Sequence, residues 1–478
     1  MMSPPRTLVW FRGKDLRITD HGPLVRGLAE GNVIPVFVLD PYFFDPHRAQ
    51  DLPHRIQFLL ESLEELARVI ASLGSTLICL QGKSVEVIPR VAEAWNVSRV
   101  LAHRWVEPFG RARDRQVARA LRVPLELLEG ETLHPPGTLR TGSGSPYSVF
   151  TPFSRSLRRE AAIARPLPAP STLPPVPSQA LREHRPPPSL SELGICRNAN
   201  LQPGGEQAAH KRLQQFLSRG LGRYGTGRDH LGQDATSRLS ADIKFGTLSV
   251  RSIWWAVADR QQDCCHESVE RFLTELIWRE FSYSSLWDRP NLLKSPFRSS
   301  WTNFPWREDA AGWKAWAEGR TGYPVVDAAA RELIATGFVH GRARMITASF
   351  LCKHLLIDYR QGEQHFMKYL TDGDWAQNNA GWQWSAGSGC DAQPYFRVFN
   401  PVAQGEKFDP EGAYVRRWLP PLAKLPSRYI HKPWAAPSPV LEAAGVCLGK
   451  NYPHPVVEHA FARQRFLDAA KAHLKPSP

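Results

Sequence analysis

Thr7-Leu-Val-Trp-Phe11 and Val33-Ile-Pro-Val-Phe-Val-Leu39 are the runs that decide the fold class. Both are short and almost wholly apolar, and both give way at once to polar residues. A strand with one face in water alternates apolar and polar side chains. An unbroken apolar run of this length instead reads as a strand buried on both faces, as in a parallel sheet. Between the two runs, Pro23 to Glu30 reads as a helix. Pro53 then stands where proline favours the first turn of a helix. Ile56, Leu59, Leu60, Leu63, Leu66 and Ile70 follow at helical spacing, and Gly74 ends the run. A strand at 76–80, a helix at 84–94, a strand at 99–103 and a helix at 110–121 continue the alternation. The pattern predicts an α/β domain with a doubly wound parallel sheet over residues 1–130. Ligands of such sheets sit at the carboxyl ends of the strands. No GxGxxG follows the first strand, so the ordinary dinucleotide fingerprint is absent.

Residues 131–205 change character. Pro166-Leu-Pro-Ala-Pro170, Leu173-Pro-Pro-Val-Pro177 and Arg185-Pro-Pro-Pro188 interrupt any periodicity and read as an extended interdomain linker. From residue 206 the pattern is helical, with helices at Arg212–Arg219, Val250–Arg260, Ser268–Leu286, Ala329–Ile334, Arg342–Asp358 and Ala460–His473. Residues 206–478 therefore read as an all-α domain, the larger of the two.

Lys and Arg outnumber Asp and Glu by 60 to 46, a surplus that suits a polyanionic partner such as nucleic acid. The seven Cys are scattered, with no spacing that would ligate a metal, and fit a reducing cytoplasm. No apolar run approaches the roughly 20 residues that span a bilayer. Met1-Met-Ser-Pro-Pro-Arg6 leads straight into the first strand and does not read as a signal peptide.

Four stretches carry candidate chemistry. Ala235-Thr-Ser-Arg-Leu-Ser240, shortly after Tyr224, puts hydroxyls beside an Arg, a set that can clamp a diphosphate or merely cap a helix. Glu275, Trp278 and Arg279 stand at i, i+3 and i+4 and would share a helix face, where a carboxyl, an aromatic plane and a cation can recognise a base. A Trp packed in the core beside a solvated ion pair explains the same spacing. His340-Gly-Arg342-Ala-Arg344-Met345 offers Arg344 as a partner for an acid and Arg342 for a phosphate. The richest stretch is Asp372-Gly-Asp-Trp-Ala-Gln-Asn-Asn-Ala-Gly-Trp-Gln-Trp384, with two acids, adjacent amides and three Trp, followed by Arg397 and Lys407. Together the four suggest a flavin pocket with a basic mouth.

These motifs resemble those of the photolyase/cryptochrome family, and most of all its bacterial cyclobutane-pyrimidine-dimer DNA photolyases. The resemblance runs from Leu8-Val-Trp-Phe-Arg12 and Asp15-Leu-Arg17 through Thr236–Ser240, Glu275–Phe281, Gly322–Ala328, Arg342–Phe350, Asp372–Trp384 and Phe399–Phe408 to Tyr452–His459. It implies an N-terminal domain for an antenna chromophore, whether folate, deazaflavin or FMN, and a helical domain holding a folded FAD. It further implies that Tyr224, Thr236, Ser237, Arg238, Leu239 and Ser240 hold the phosphates and ribose. Asp372, Gly373 and Asp374 would face flavin and ribose, with Arg344 paired to Asp372. Asn378 would sit beside the flavin's reactive nitrogen. Trp278 and Trp384 would wall a flipped-out pyrimidine dimer, Glu275 would hydrogen-bond it and Met345 would pack beneath it. Arg228, Arg279, Gly341, Arg342, Arg397 and Gln404 would meet damaged DNA. The implied activity is light-driven dimer repair by a cytoplasmic monomer, and the competing reading is a cryptochrome-type photoreceptor without repair.

Three positions depart from the pattern. Gly341 stands where these photolyases usually carry Asn. The electron wire of three Trp is matched at Trp306 and Trp382, but its middle member is Tyr359, which would slow photoreduction or reroute it, with Trp375 as one detour. Gly110 stands near the antenna-folate Glu of some relatives, and Leu293-Lys294 replaces a Cys-Lys pair. The lack of a long tail before Pro478 weighs against signalling.

Overall fold

The computed structural model describes residues 5–474, so the readings of the first residues as no leader and of the Pro478 end as no tail lie outside the described residues. The chain divides into two compact units, Met1–Gly222 with Ser237–Pro290, and Arg223–Thr236 with Asn291–Pro478.

The first unit is built on five parallel strands: β1 (Arg6–Phe11), β2 (Asn32–Leu39), β3 (Ile78–Gln81), β4 (Val97–His103) and β5 (Leu125–Leu128). Their order is β3-β2-β1-β4-β5, so the sheet is doubly wound as expected and its direction of winding reverses between β1 and β4. Leu8, Val9, Trp10 and Phe11 are all 1% exposed or less. Their alternation sends Leu8 and Trp10 to one apolar core with Ile34, Val36 and Val100, and Val9 and Phe11 to another with Phe37 and Cys79. Both faces are covered, which is why the strands carry no polar alternation. Pro35 sits inside β2 opposite Val9 of β1, one residue before β3 joins at Val36, so the ladder to β3 needs no N–H from it.

Helices fall close to their expected places: Gly22–Glu30, Pro53–Ser72, Ser84–Ala94 and Pro108–Ala120. The Pro-rich stretch is less extended than its composition suggests. It contains helices at Phe150–Glu160 and Ser178–Glu183. Phe150, Phe153 and Leu157 share the buried face of the first, a helical spacing that the surrounding prolines obscure.

The second unit is helical, around a core that includes Trp316, Val326, Phe350, Leu351, Phe366 and Trp382. The expected helix 342–358 is shorter and interrupted. His340 accepts the Arg342 N–H and starts an α-helix at Gly341. At Phe350–Leu355 it widens into a π-turn and stops at Leu356, a non-glycine residue at φ 59°. Among the described residues no helix is long and apolar enough to cross a membrane.

Candidate functional site

The turn and helix at Asp372–Ala386 organise the second unit's polar site. Asp374 caps the helix Trp375–Ala386, its carboxylate accepting the N–H groups of Ala376 and Gln377, both at 3.0 Å. An acid at this end also meets the positive end of the helix dipole. Two residues earlier, both carboxylate oxygens of Asp372 lie within 2.8 and 3.1 Å of Arg344 Nη2. Arg344 is itself fixed, since its Nε donates to the Val339 carbonyl at 2.8 Å. Asn378 follows one turn after Asp374 and is 8% exposed. Its Nδ2 donates to the Glu363 carbonyl at 2.9 Å, while its Oδ1 accepts nothing from the described residues. Thr371 Oγ1, beside Asp372, is buried and likewise without a partner among the described residues. Two fixed carboxylates, an amide oxygen and an orphaned hydroxyl are a donor and acceptor set that fits a ribose and a hydrogen-bonding heterocycle such as FAD.

The next turn of the same helix carries Trp382, 2% exposed, against Phe366 at 5.0 Å and Trp316 at 6.0 Å between ring centres. Gly362 makes this packing possible: a Cβ there would lie 2.1 Å from the Trp382 ring. Trp306 and Tyr359 meet edge to face at 6.5 Å. Trp375 makes no ring contact with the described residues. Trp384 is half-buried on the same helix.

A basic group lies in the same unit. Arg342 Nη2 contacts Asp229 at 2.6 Å, its Cζ stands 4.4 Å over the Phe408 ring, and its Nη1 is 3.9 Å from Met345 Sδ. Arg228 reaches the same Asp229 at 4.0 Å and lies over the Tyr224 ring. Gly341 is exposed, and a Cβ built on it meets nothing within 4 Å. Arg397 is exposed, with its carbonyl held by the buried Lys353 Nζ at 3.0 Å; Gln404 is half-buried. Thr236 is half-buried in this unit too.

Ser237–Ser240 and the Glu275 helix belong to the first unit. Arg238 is in the left-handed region at φ 53°, and Ser240 opens the short helix Ser240–Phe245. On the helix His266–Asp288, Glu275 and Trp278 are half-buried. Arg279 turns inward: it is 8% exposed, pairs with Glu280 at 3.0 Å and lies 4.1 Å over Tyr283. Burial pushes the Glu280 carboxyl up to about 7, against the pull of Arg279. Trp278 stacks face to face on Phe150, 3.5 Å between centres and 4° from parallel. Phe150 lies in the stretch read as linker, so sequence spacing did not reveal this partner.

The first unit also has a cleft at the carboxyl ends of β1 and β2, beside the point where the sheet's order reverses. Trp10, Arg12, Tyr42, Trp105, Arg113 and Lys244 are among its lining residues. Arg113 stands 4.4 Å over Trp105 and 4.8 Å over Trp10. Trp105 Nε1 and Arg12 Nη2 are buried donors without partners among the described residues. Gly110 offers no carboxyl, and a Cβ there would lie 2.6 Å from the Trp105 ring.

Residues 7–172 match the family model described as DNA photolyase, and residues 272–472 match the FAD binding domain of DNA photolyase. A deoxyribodipyrimidine photo-lyase of Agrobacterium fabrum is 40% identical over 478 residues, 98% of each chain. Among solved structures, a bacterial class III photolyase from Agrobacterium tumefaciens superposes with a TM-score of 0.92 at 37% identity, covering 100% of this chain and 99% of that one. A Synechocystis cryptochrome gives 0.89 at 33% identity, covering 98% and 100%. Sheet, helical domain and sequence agree: the chain belongs to the photolyase/cryptochrome family and carries its FAD-binding domain.

Proposed function

We propose that this chain is a cytoplasmic, monomeric deoxyribodipyrimidine photo-lyase that repairs cyclobutane pyrimidine dimers in DNA under blue light. The observation that carries the reading is the Asp372–Asn378 cluster. Its acids are already oriented by Arg344 and by the helix N-terminus, and Asn378 is anchored by its amide nitrogen with its oxygen left to a ligand. Bound and reduced, FAD supplies the light-driven electron that opens the cyclobutane ring and that the ring returns.

The chain's own residues hold and exclude. Asp372, Gly373 and Asp374, with Tyr224 and the Thr236–Ser240 segment, position the cofactor. The Asn378 amide accepts from a protonated ring nitrogen through Oδ1 and so favours the reduced state. Trp278 and Trp384 stack on the flipped lesion, Glu275 accepts from a pyrimidine N–H, and Met345 fills apolar space. Arg228, Arg342, Arg397 and Gln404 meet phosphates, and binding weakens with salt. Residues 1–130, 131–205 and 206–478 serve as antenna domain, connector and catalytic domain. The Trp10–Trp105 cleft takes a flat antenna chromophore bearing acceptor or anionic groups, because stacked cations and orphaned donors line it.

The test is repair of a thymine-dimer oligonucleotide under blue light, with a 6-4 photoproduct in parallel. Light-dependent loss of the cyclobutane dimer supports the reading, and no loss with bound, reduced FAD sinks it. The Synechocystis likeness and the bare Gly341 favour the second reading, a photoreceptor that binds FAD and does not repair.

A further inference from the structure

Resting on the proposed lesion pocket, we infer that Phe150 is a positioning residue for lesion recognition: it fixes the plane of the Trp278 indole before any ligand arrives. The two rings lie 3.5 Å apart between centres and 4° from parallel. That separation is close to the thickness of an aromatic ring, so the rings overlap with little offset. Aromatic side chains left to themselves do not pack this way. Both faces are electron-rich, and pairs prefer an offset or edge-to-face contact with centres about 4.5–7 Å apart. The neighbouring rings follow that preference. Phe281 stands edge-on to both Phe150 and Trp278, at 6.0 Å and 74° in each case, and Phe153 lies tilted on Phe281 at 5.2 Å. The overlap of Phe150 with Trp278 is therefore imposed by the elements that carry them.

Phe150 opens the helix Phe150–Glu160, which is anchored by Phe153 and Leu157, 2% and 1% exposed. Polar contacts at the rim tie that helix to the one bearing Trp278. Arg158 Nη1 pairs with Glu270 at 3.1 Å, and its Nη2 donates to Thr274 Oγ1 at 3.3 Å. Glu270 and Thr274 stand two turns and one turn before Trp278 on the helix His266–Asp288. The backbone of Trp278 is fixed by that helix, and Ser282 Oγ donates to its carbonyl at 3.0 Å. The freedom that remains to the half-buried indole is rotation of its side chain, and the Phe150 plane removes it.

Simple packing accounts for the burial of Phe150 but not for its orientation. A leucine or methionine would cover the helix as well, and only a flat ring gives the indole a parallel surface to lie on. An aromatic wall that must be stilled on binding gives up side-chain entropy at that moment. One already held gives up little, which tightens binding by about 2- to 10-fold.

The experiment uses FAD-loaded full-length protein in the dark. It reads the affinity for a labelled thymine-dimer oligonucleotide and for the undamaged oligonucleotide of the same sequence by fluorescence anisotropy. Phe150→Leu should weaken dimer binding about 2- to 10-fold and leave undamaged binding unchanged. Phe150→Tyr, which keeps the plane, should bind the dimer as the unaltered protein does. In a Trp278→Leu background Phe150→Leu should have no further effect, whereas a residue that only supports the fold lowers both backgrounds alike. Phe150→Met keeps apolar volume without a plane and repeats the measurement if the leucine variant melts early. Equal loss in both backgrounds, or full dimer affinity in Phe150→Leu and Phe150→Met, overturns the positioning role alone. Unchanged dimer affinity in Trp278→Leu overturns the lesion pocket and the inference with it.

Discussion

His103 and His354 each put an acid-labile contribution into their own unit. His103 is 3% exposed, and burial, then the charge of His21, holds its pKa down to about 3 from 6.5. His354 is fully buried, and burial, then His459, holds it down to about 3. Each is a base whose folded pKa is depressed. Its contribution is therefore complete above 6.5 and is lost as pH falls from there towards about 3. Because both folded values lie well below 5, the loss at pH 5 is set by the unfolded value. It amounts to about 2 kcal/mol per residue between pH 7 and pH 5. Asp15, whose carboxyl is depressed by its bonds to His103 and His21 in spite of burial, adds a loss in the same direction only below its ordinary 3.8. Two kcal/mol is a sizeable share of a domain's roughly 5–15. The assay is hydrogen exchange by mass spectrometry at pH 7 and 5, corrected for intrinsic rates and read separately in the strands around His103 and in the helices around His354. Glu280 and Glu363, each pushed up to about 7 chiefly by burial, gain stability over the same interval, so the histidine contributions are read by difference: replacing His103 or His354 with Gln should make the change in protection between pH 7 and pH 5 about 2 kcal/mol more favourable in its own region. An unchanged pH dependence in these variants, or imidazole NMR signals that titrate near 6.5 in the folded protein, would refute the reasoning.

Three other outcomes follow from the site. Gly341→Asn should be tolerated, since nothing lies within 4 Å of its Cβ position, and should tighten binding of dimer-containing DNA by about 2- to 10-fold if the amide makes one hydrogen bond to the lesion. Competition binding against undamaged DNA reads this, and equal tightening for both DNAs counts against a lesion contact. Gly362→Ala should gain about 1 kcal/mol of helix propensity but lose more, about 1–3 kcal/mol, by driving a methyl into the Trp382 ring; an unchanged or raised melting temperature contradicts it. Asp372→Asn leaves the Arg344 guanidinium without its charge partner and should cost about 1–3 kcal/mol. It should also lower the FAD-to-protein ratio after desalting, and full retention of FAD would remove Asp372 from the cofactor site.

The sheet was legible because burial on both faces writes itself into β1 and β2 as unbroken apolar runs. The Phe150 helix was not, because prolines on either side dominate the composition while only three apolar residues mark its inner face. In the site, the pairing of Arg344 with Asp372 was expected from the family resemblance, whereas the Asp374 cap was not read from the sequence. Nor was the inward turn of Arg279. Its i, i+4 relation to Glu275 suggests a shared face, yet the guanidinium pairs with the buried Glu280 next to it. Trp316 stands 66 residues before Trp382 in sequence, and only packing brings the two rings together.

The Phe150 stack has a consequence for how the proposed lesion pocket reads direction. An indole with one face committed at 3.5 Å can receive a ligand from one side only. Turning a stacked dinucleotide over would exchange its two ends relative to Glu275, one helical turn away. In the roles proposed for them, Trp278 and Glu275 would act as a chiral gauge, accepting one polarity of the damaged strand and rejecting the other without contacting any undamaged base.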